Sequence, residues 1–584
     1  MSQQRTSRSI SQVLRRHGIG SLVYLDEHSL IARVSDFRAS VDVDVNQRRL
    51  HRHFVDRLRL WRDNNGRIIG VTKPEDITEK EVVAMRPVSV TCVPYGEWYA
   101  CVKSDCGVMH KKTDVGFSGR CRKCRGPLDQ LRWVYYHHCG SLTELVPQAK
   151  CPTHGMALIA FEDTRKLTTS SWVCRGEDCN FRRLAFYPPC QQSLCRASDD
   201  AHKKYQIAHW RDSWVYYSQG TDFVNLDDDQ ARPFVNSDFG QQLVHQAVLG
   251  EISAGGRALE RRRQDAGGSC PKPDCGTKIQ PGWKLCPQCG SALPQLENGA
   301  PVIPVDFDAG RTTWAMLRDL EESRSAAESG FAGMSPYGIA DIVLVNAFPL
   351  THGLIGYTRG RADRQSWLRL FNRKEDKYVI YTDSIDTEAW MVQLSARAVV
   401  AWMQANNIQP SAGDFPNSED ENILKTWLIE RIVGEDENVV GVVTPLLHTM
   451  SHVLLYSLAT SCGLEVSSLG EMMMLDALAF AIYAGDSELG ALTATFDQML
   501  EGVMQGILEF KDCKFDPGCR HDDKGACVGC IHMPRGCERF NDALSRAYLF
   551  GGPVPQSPLL PPEVRGFLGL ASGLAHVAPA LITP

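Results

Sequence analysis

The chain has 584 residues, 43% of them hydrophobic and 23% charged, which is too long for a single core and too apolar for a disordered protein, so several folded domains are expected. A formal net charge of −6 excludes a wholly basic nucleic-acid binder while leaving room for local basic faces. Residues 1–16 (MSQQRTSRSISQVLRR) are polar and basic with no apolar segment behind them, so no secretory start is visible, and the 21 cysteines are not expected to be disulfides. A cytoplasmic location is expected, with clustered thiols that bind metal rather than pair as disulfides.

Residues 1–90 read as a mixed α/β region: a short helix, a hairpin around "SLVYLDEHSLIARV", then a basic stretch. The run "LVYLDEHSL" (22–30), with Asp26, Glu27 and His28, is read as a strand and an acidic turn, because no glycine-rich phosphate loop ending in Gly-Lys-Ser/Thr accompanies it. The basic stretch "RRLHRHFVDRLRLWR" (48–62) carries Arg48, Arg49, Arg52, Arg57 and Arg59, interleaved with Phe54, Leu58 and Trp61. Arginines neutralise phosphates and interleaved aromatics can stack on bases, so this is a candidate nucleic-acid surface, with a solvated helix face as the plain alternative.

Residues 91–200 form a cysteine-rich region with short strands. Cys101, Cys106, Cys121 and Cys124 are two close pairs separated by a gap that fits a hairpin, the pattern of a zinc ribbon. Lys111, Lys112, Arg122, Lys123 and Arg125 wrap this site and make a second basic surface. Cys139, Cys151 and His154 supply three ligands of another site, completed by His138, with its neighbour His137 as the alternative. A further set is Cys174 and Cys179 with Cys190 and Cys195.

Residues 201–300 open with a helix and a glycine break in "FGQQLVHQAVLGEISAGGRALERRR", whose Arg261, Arg262 and Arg263 give a third basic run. The zinc ribbon at 270–289 follows, with Cys270, Cys275, Cys286 and Cys289, and "GSALPQLENGAPVIP" (290–304) connects onward. Residues 301–584 change character: strands are expected in "IADIVLVNAF" and "KYVIYT", and long helices over 387–405, 420–433 and 440–462. The apolar run 446–464 holds two histidines and reads as a buried helix rather than a membrane span. His448 and His452 in "HTMSH" share a helix face; without an HExxH glutamate they are read as core or capping residues. Near the end, Cys519, Cys527, Cys530 and Cys537 are the expected ligand set, with Cys513 left over. Zinc is expected there, with an iron–sulfur cluster as the alternative. The terminal "FLGLASGLAHVAPALITP" is expected to dock on the protein's own surface.

The fold expected is therefore α+β and multidomain, with several small zinc-ribbon modules followed by a mixed α/β, helix-rich C-terminal domain. The strong sites are closed four-cysteine sets, whereas a catalytic zinc keeps a position open for water. Closed sites contribute folding free energy, on the order of 10 kcal/mol in small zinc modules. No catalytic residue is expected.

The opening "RSISQVLRRHGIGSLVYL" (8–25) resembles the start of the B subunit of DISARM, a bacterial anti-phage defence system, through Ser11, Gln12, Gly18, Gly20 and Ser21. The C-terminal half resembles the domain that ends both that family and certain bacterial DNA-repair helicases, in "GYTRGR" (356–361), "LLHTMSHVLL" (446–455), "SLGE" (468–471), "LGALTA" (489–494) and "CERFNDALSR" (537–546). "LGALTA" departs from the double glycine often found at its place. The resemblance implies zinc on Cys519, Cys527, Cys530 and Cys537. It also implies a subunit without a motor of its own, held in a hetero-complex with the system's helicase-like A subunit and helping it engage phage DNA. A DNA-processing enzyme such as a metal-dependent nuclease using His448 and His452, and a pure protein-assembly scaffold, are the competing readings.

Overall fold

The structure, a computed structural model, describes residues 10–577 apart from 27–28, 64–65, 72, 163, 165–168, 185–186, 197–203, 268–269, 271, 273, 279–284, 293–301, 364, 486–489, 523, 535 and 555–557. Glu27, His28 and part of the 290–304 connector lie outside these residues, as does 578–584. The mixed α+β composition expected from sequence is what the chain adopts. It divides into two compact units, Met1–Thr221 with His352–Asp383, and Asp222–Thr351 with Ser384–Pro584. Two long strands, Ile339–Thr358 and Tyr378–Leu394, each run from one unit into the other.

In the first unit a hairpin, Leu22–Leu25 with Leu30–Val41, pairs onward with Val82–Pro94, whose register shifts at Val34/Asp36 and Arg38/Ala39 bend the ribbon. Val82–Pro94 then pairs in parallel with the start of Tyr378–Leu394. The basic stretch forms the helix Gln47–Asp63. Leu50, Phe54, Leu58 and Trp61 recur at helical spacing and are almost wholly buried, which orients the helix and turns most of its arginines outward. Three small three-stranded sheets follow, each carrying part of a cysteine cluster: Trp98–Cys101 with Met109–Lys111 and Leu128–Gln130; Trp133–Tyr136 with Leu142–Glu144 and Gln206–His209; and Ile159–Glu162 with Ser171–Cys174 and Arg182–Leu184.

Two of the sequence motifs meet in this unit. Arg359 of "GYTRGR", 1% exposed, donates to the backbone carbonyls of Gly140 (2.9 Å), Gly20 (2.8 Å) and Val215. Gly20 has φ +94°, and a Cβ there would press on the Tyr357 ring at 3.2 Å. The Gly-x-Gly-Ser element thus gives Arg359 a carbonyl that a side chain would crowd.

The second unit is built around the helix Glu437–Cys462. Asp436 caps its start by accepting from the amides of Asn438 (3.2 Å) and Val439 (3.1 Å), and Gly463 ends it at φ +69°. It is long and apolar enough to cross a membrane by length and composition, yet 78% of its most apolar window is buried inside the protein. Around it lie the hairpin Leu469–Met474 with Ala479–Ala484 and the helices Ala396–Ala405, Glu421–Val433, Ala491–Gly506 and Phe567–Val577. Phe567, Leu568 and Ala571 are buried, so the described part of the terminal stretch does pack on the protein's own core.

One helix expectation is corrected. Residues 387–394 finish a strand, and the helix begins only after Ser395, whose hydroxyl accepts from the amide of Ala398 at 3.2 Å. Every residue from Thr387 to Leu394 is buried on both faces of the sheet, so the stretch lacks the alternation that would distinguish strand from helix.

Candidate metal centres

Among the described residues, five sets of four Cys or His side chains bring their donor atoms within 4.8 Å of one another. A tetrahedral zinc with thiolates at about 2.3 Å separates its sulfurs by about 3.8 Å. The first set has that geometry as the spacing predicts, Cys101 to Cys124 at 3.4 Å and Cys106 to Cys121 at 3.7 Å. So does the ribbon in the second unit, Cys270 to Cys289 at 3.4 Å and Cys275 to Cys286 at 3.6 Å.

The two middle sets exchange partners relative to the sequence reading. Cys139 lies 3.8 Å from Cys190, and Cys195 lies 3.5 Å from His137 Nδ1, so Cys190 and Cys195 close on His137 and Cys139. Cys151 lies 3.5 Å from Cys179 and 3.7 Å from His154 Nδ1, and Cys174 is 3.5 Å from that same nitrogen. Strand pairing makes the exchange. His137 and Cys139 sit in the turn after Trp133–Tyr136, which pairs with Gln206–His209, and a bridge from Lys204 to Pro189 draws Cys190 to the same end. Cys174 ends a strand paired with Ile159–Glu162, close to Cys151 and His154. His138 is not a ligand; its ring lies between those of His137 (4.0 Å) and Trp367 (5.4 Å).

The C-terminal set is corrected too. Cys513 lies 3.6 Å from Cys527, and Cys519 lies 3.8 Å from Cys530, so Cys513 is the fourth member in place of Cys537. Cys537 sits instead 3.2 Å from His448 Nε2. A readable signal existed: a close pair, 513/519, followed by a tighter pair, 527/530, repeats the layout of the two ribbons.

Turn amides aim at the sulfurs, as metal-bound thiolates require. The Cys151 sulfur receives the amide of His154 at 3.4 Å, Cys174 that of Gly176 at 3.4 Å, Cys513 that of Phe515 at 3.4 Å and Cys527 that of Gly529 at 3.3 Å. The Gly126 amide lowers the Cys124 thiol to about 7, and the Ser291 hydroxyl and amide lower Cys289 to about 6. These thiols are thus partly or largely thiolate near neutrality. The donor sets fit a tetrahedral soft or borderline metal, zinc foremost.

A family model described as a domain of unknown function (DUF8724) matches residues 9–217. That span takes in the hairpin, the basic helix and the first three metal sets, and ends before the ribbon at 270–289. No curated protein matches the chain.

The basic residues fall into three places. On the helix Gln47–Asp63, Arg48, Arg52 and Arg59 are exposed and Arg57 is half-buried, while Arg49 is 1% exposed and is withdrawn from the candidate surface. Asp56 sits beside Arg59 at 3.5 Å and Arg52 at 4.0 Å, which tempers the positive field. Around the first metal set Lys112, Arg122, Lys123 and Arg125 are exposed and Lys111 half-buried; Arg122 pairs with Asp114 at 2.7 Å and Lys111 with Glu97 at 3.1 Å. Arg261 and Arg262 are exposed on the helix Ala258–Gly267, with Arg262 donating to Gln246 at 3.2 Å. The side chain of Arg263 lies outside the described residues.

Proposed function

We propose that this chain is a non-catalytic, zinc-stapled subunit of a DISARM-like anti-phage complex, held to a helicase-like ATPase and helping it engage DNA. The observation that carries the reading is the closure of the metal sets. Each has four Cys or His donors, at least three of them sulfur, which leaves no ligand position for a reacting water. The two histidines that a nuclease reading would use, His448 and His452, are fully buried in the second unit. Basic side chains on a small rigid metal module are suited to phosphate contacts, which position a protein without reading sequence.

The test is a tagged pull-down from the native host at two salt concentrations, with and without nuclease. A stoichiometric helicase-like partner that survives nuclease supports the reading; recovery of the chain alone contradicts it. The DNA part is tested separately by replacing Lys112, Lys123 and Arg125 with Gln. Loss of three phosphate contacts flattens the log K against log salt slope by about 2–3 for double-stranded DNA. An unchanged slope with the partner still bound makes the chain an assembly scaffold.

A further inference from the structure

The helix Glu437–Cys462 carries His448 and His452 one turn apart on one face. His448 Nε2 lies 3.2 Å from Cys537 Sγ and 3.2 Å from Glu471 Oε1, and His452 Nε2 lies 3.1 Å from the same oxygen. The side chains of both histidines and of the glutamate have no exposed surface, and Cys537 is 8% exposed. Metal bonds of about 2.0–2.3 Å in a tetrahedron put nitrogen about 3.3 Å from oxygen and about 3.5 Å from sulfur. The four donors stand close to those spacings.

The hydrogen bonds on the far side of each ring decide what the near side can be. His448 Nδ1 lies 3.0 Å from the carbonyl of Asp542, and His452 Nδ1 lies 2.7 Å from that of Ile531. A carbonyl only accepts, so each Nδ1 carries its proton and donates. Both Nε2 lone pairs then point at a carboxylate oxygen, which cannot donate to them. Three arrangements remove the conflict: a second proton on each ring, a cation among the four groups, or a neutral cluster in which the Glu471 carboxyl and the Cys537 thiol keep their protons and donate to the rings. The first places two imidazolium rings 4.6 Å apart in a fully buried site, with one carboxylate and one thiolate as their counter-charges. The second balances one dication against one carboxylate and one thiolate.

The surroundings repeat what the cysteine sets show. Backbone carbonyls on Nδ1–H are the usual outer partners of metal-bound histidine. The hydroxyl of Ser451, between the two histidines in "HTMSH", donates to Glu471 Oε2 and leaves Oε1 facing the rings. The amide of Asn541 donates to Cys537 Sγ at 3.1 Å, as that of Gly529 does to Cys527.

We propose that His448, His452, Glu471 and Cys537 are the ligands of a separate, closed zinc site with two nitrogens, one oxygen and one sulfur. It joins the long helix, the strand Leu469–Met474 and the segment that follows the cysteine set. Ile531, which holds His452, adjoins Cys530, so the two C-terminal sites share one stretch of chain. This site stands whether or not the chain has a helicase partner.

The test uses the full chain. Native mass spectrometry is expected to find six zinc ions, and anomalous diffraction above the zinc edge a peak enclosed by the four named atoms. The His448→Ala/His452→Ala variant is expected to lose one ion and to keep the other five. A wild-type count of five with no peak at this place overturns the proposal in favour of a metal-free, proton-held cluster, and so does a variant that keeps all six. Should the variant fail to fold, the wild-type map decides the matter alone.

Discussion

At the scale of single residues, adjacent histidines have different roles. His137 completes a metal set with Cys139, Cys190 and Cys195, while His138 packs against Trp367. His137→Ala is expected to release one metal ion per chain and lower the unfolding temperature. His138→Ala is expected to keep full metal content and cost about 1 kcal/mol in lost ring packing. Metal analysis of the two variants separates these roles, and equal metal loss from both contradicts the assignment. The sequence placed a ligand at this spot but could not choose between neighbours, because the choice depends on which way a turn presents its side chains.

A second residue carries a pH dependence. His245 is buried, with Nε2 3.1 Å from Thr426 Oγ1, and burial lowers it to about 4 from 6.5. It is neutral in the folded protein while the unfolded chain takes up a proton below 6.5. Its contribution is complete above pH 6.5 and is lost as pH falls toward and below 4, on the order of 3 kcal/mol in all. Wild type minus His245→Gln, followed as unfolding midpoint against pH, is expected to decline across that window. A difference that stays flat between pH 7 and pH 4.5 rules the burial effect out.

At the scale of elements, close cysteine pairs were legible because a metal knuckle is local, with both ligands in one turn. Their pairing across the chain was not, because strand register makes it: Cys174 goes to Cys151 and His154 through the Ile159–Glu162 strand, passing over the nearer choice in sequence, Cys190. The helices 420–433 and 440–462 were legible in the sequence, whereas 387–394 was not, since a doubly buried strand and a buried helix read alike. One junction shows how elements are tied. Glu421, first residue of the helix Glu421–Val433, accepts from the amides of Ala396 (2.7 Å) and Arg397 (3.0 Å) and from the hydroxyl of Ser395 (2.9 Å), capping its neighbour Ala396–Ala405. Glu421→Gln weakens that charged cap and is expected to cost about 1–3 kcal/mol, read by urea unfolding with the metals in place. A midpoint unchanged from wild type contradicts the capping role.

At the scale of the whole molecule, metal sets are distributed over both units: three lie within residues 101–195 and two within 270–289 and 513–530. Each unit also has an apolar core of its own, and several of the sets are built into apolar clusters: Cys519, Cys527 and Cys530 belong to the large core of the second unit, and Cys139, Cys151, Cys174, Cys190 and Cys195 to a cluster of the first. Nothing in the sequence could place the cluster of His448, His452, Glu471 and Cys537, because its members come from a helix, a strand and a loop up to 89 positions apart.

Zinc K-edge X-ray absorption on the purified full chain tests the closed, structural character of these centres most directly. Four-coordinate zinc with an average just above three sulfurs per ion is expected, since the five sets together offer 18 sulfurs and the proposed further site one, shared among six ions. An average near two sulfurs, with the balance made up by oxygen from water, would mean open coordination positions and would contradict the account of a stapled, non-catalytic subunit.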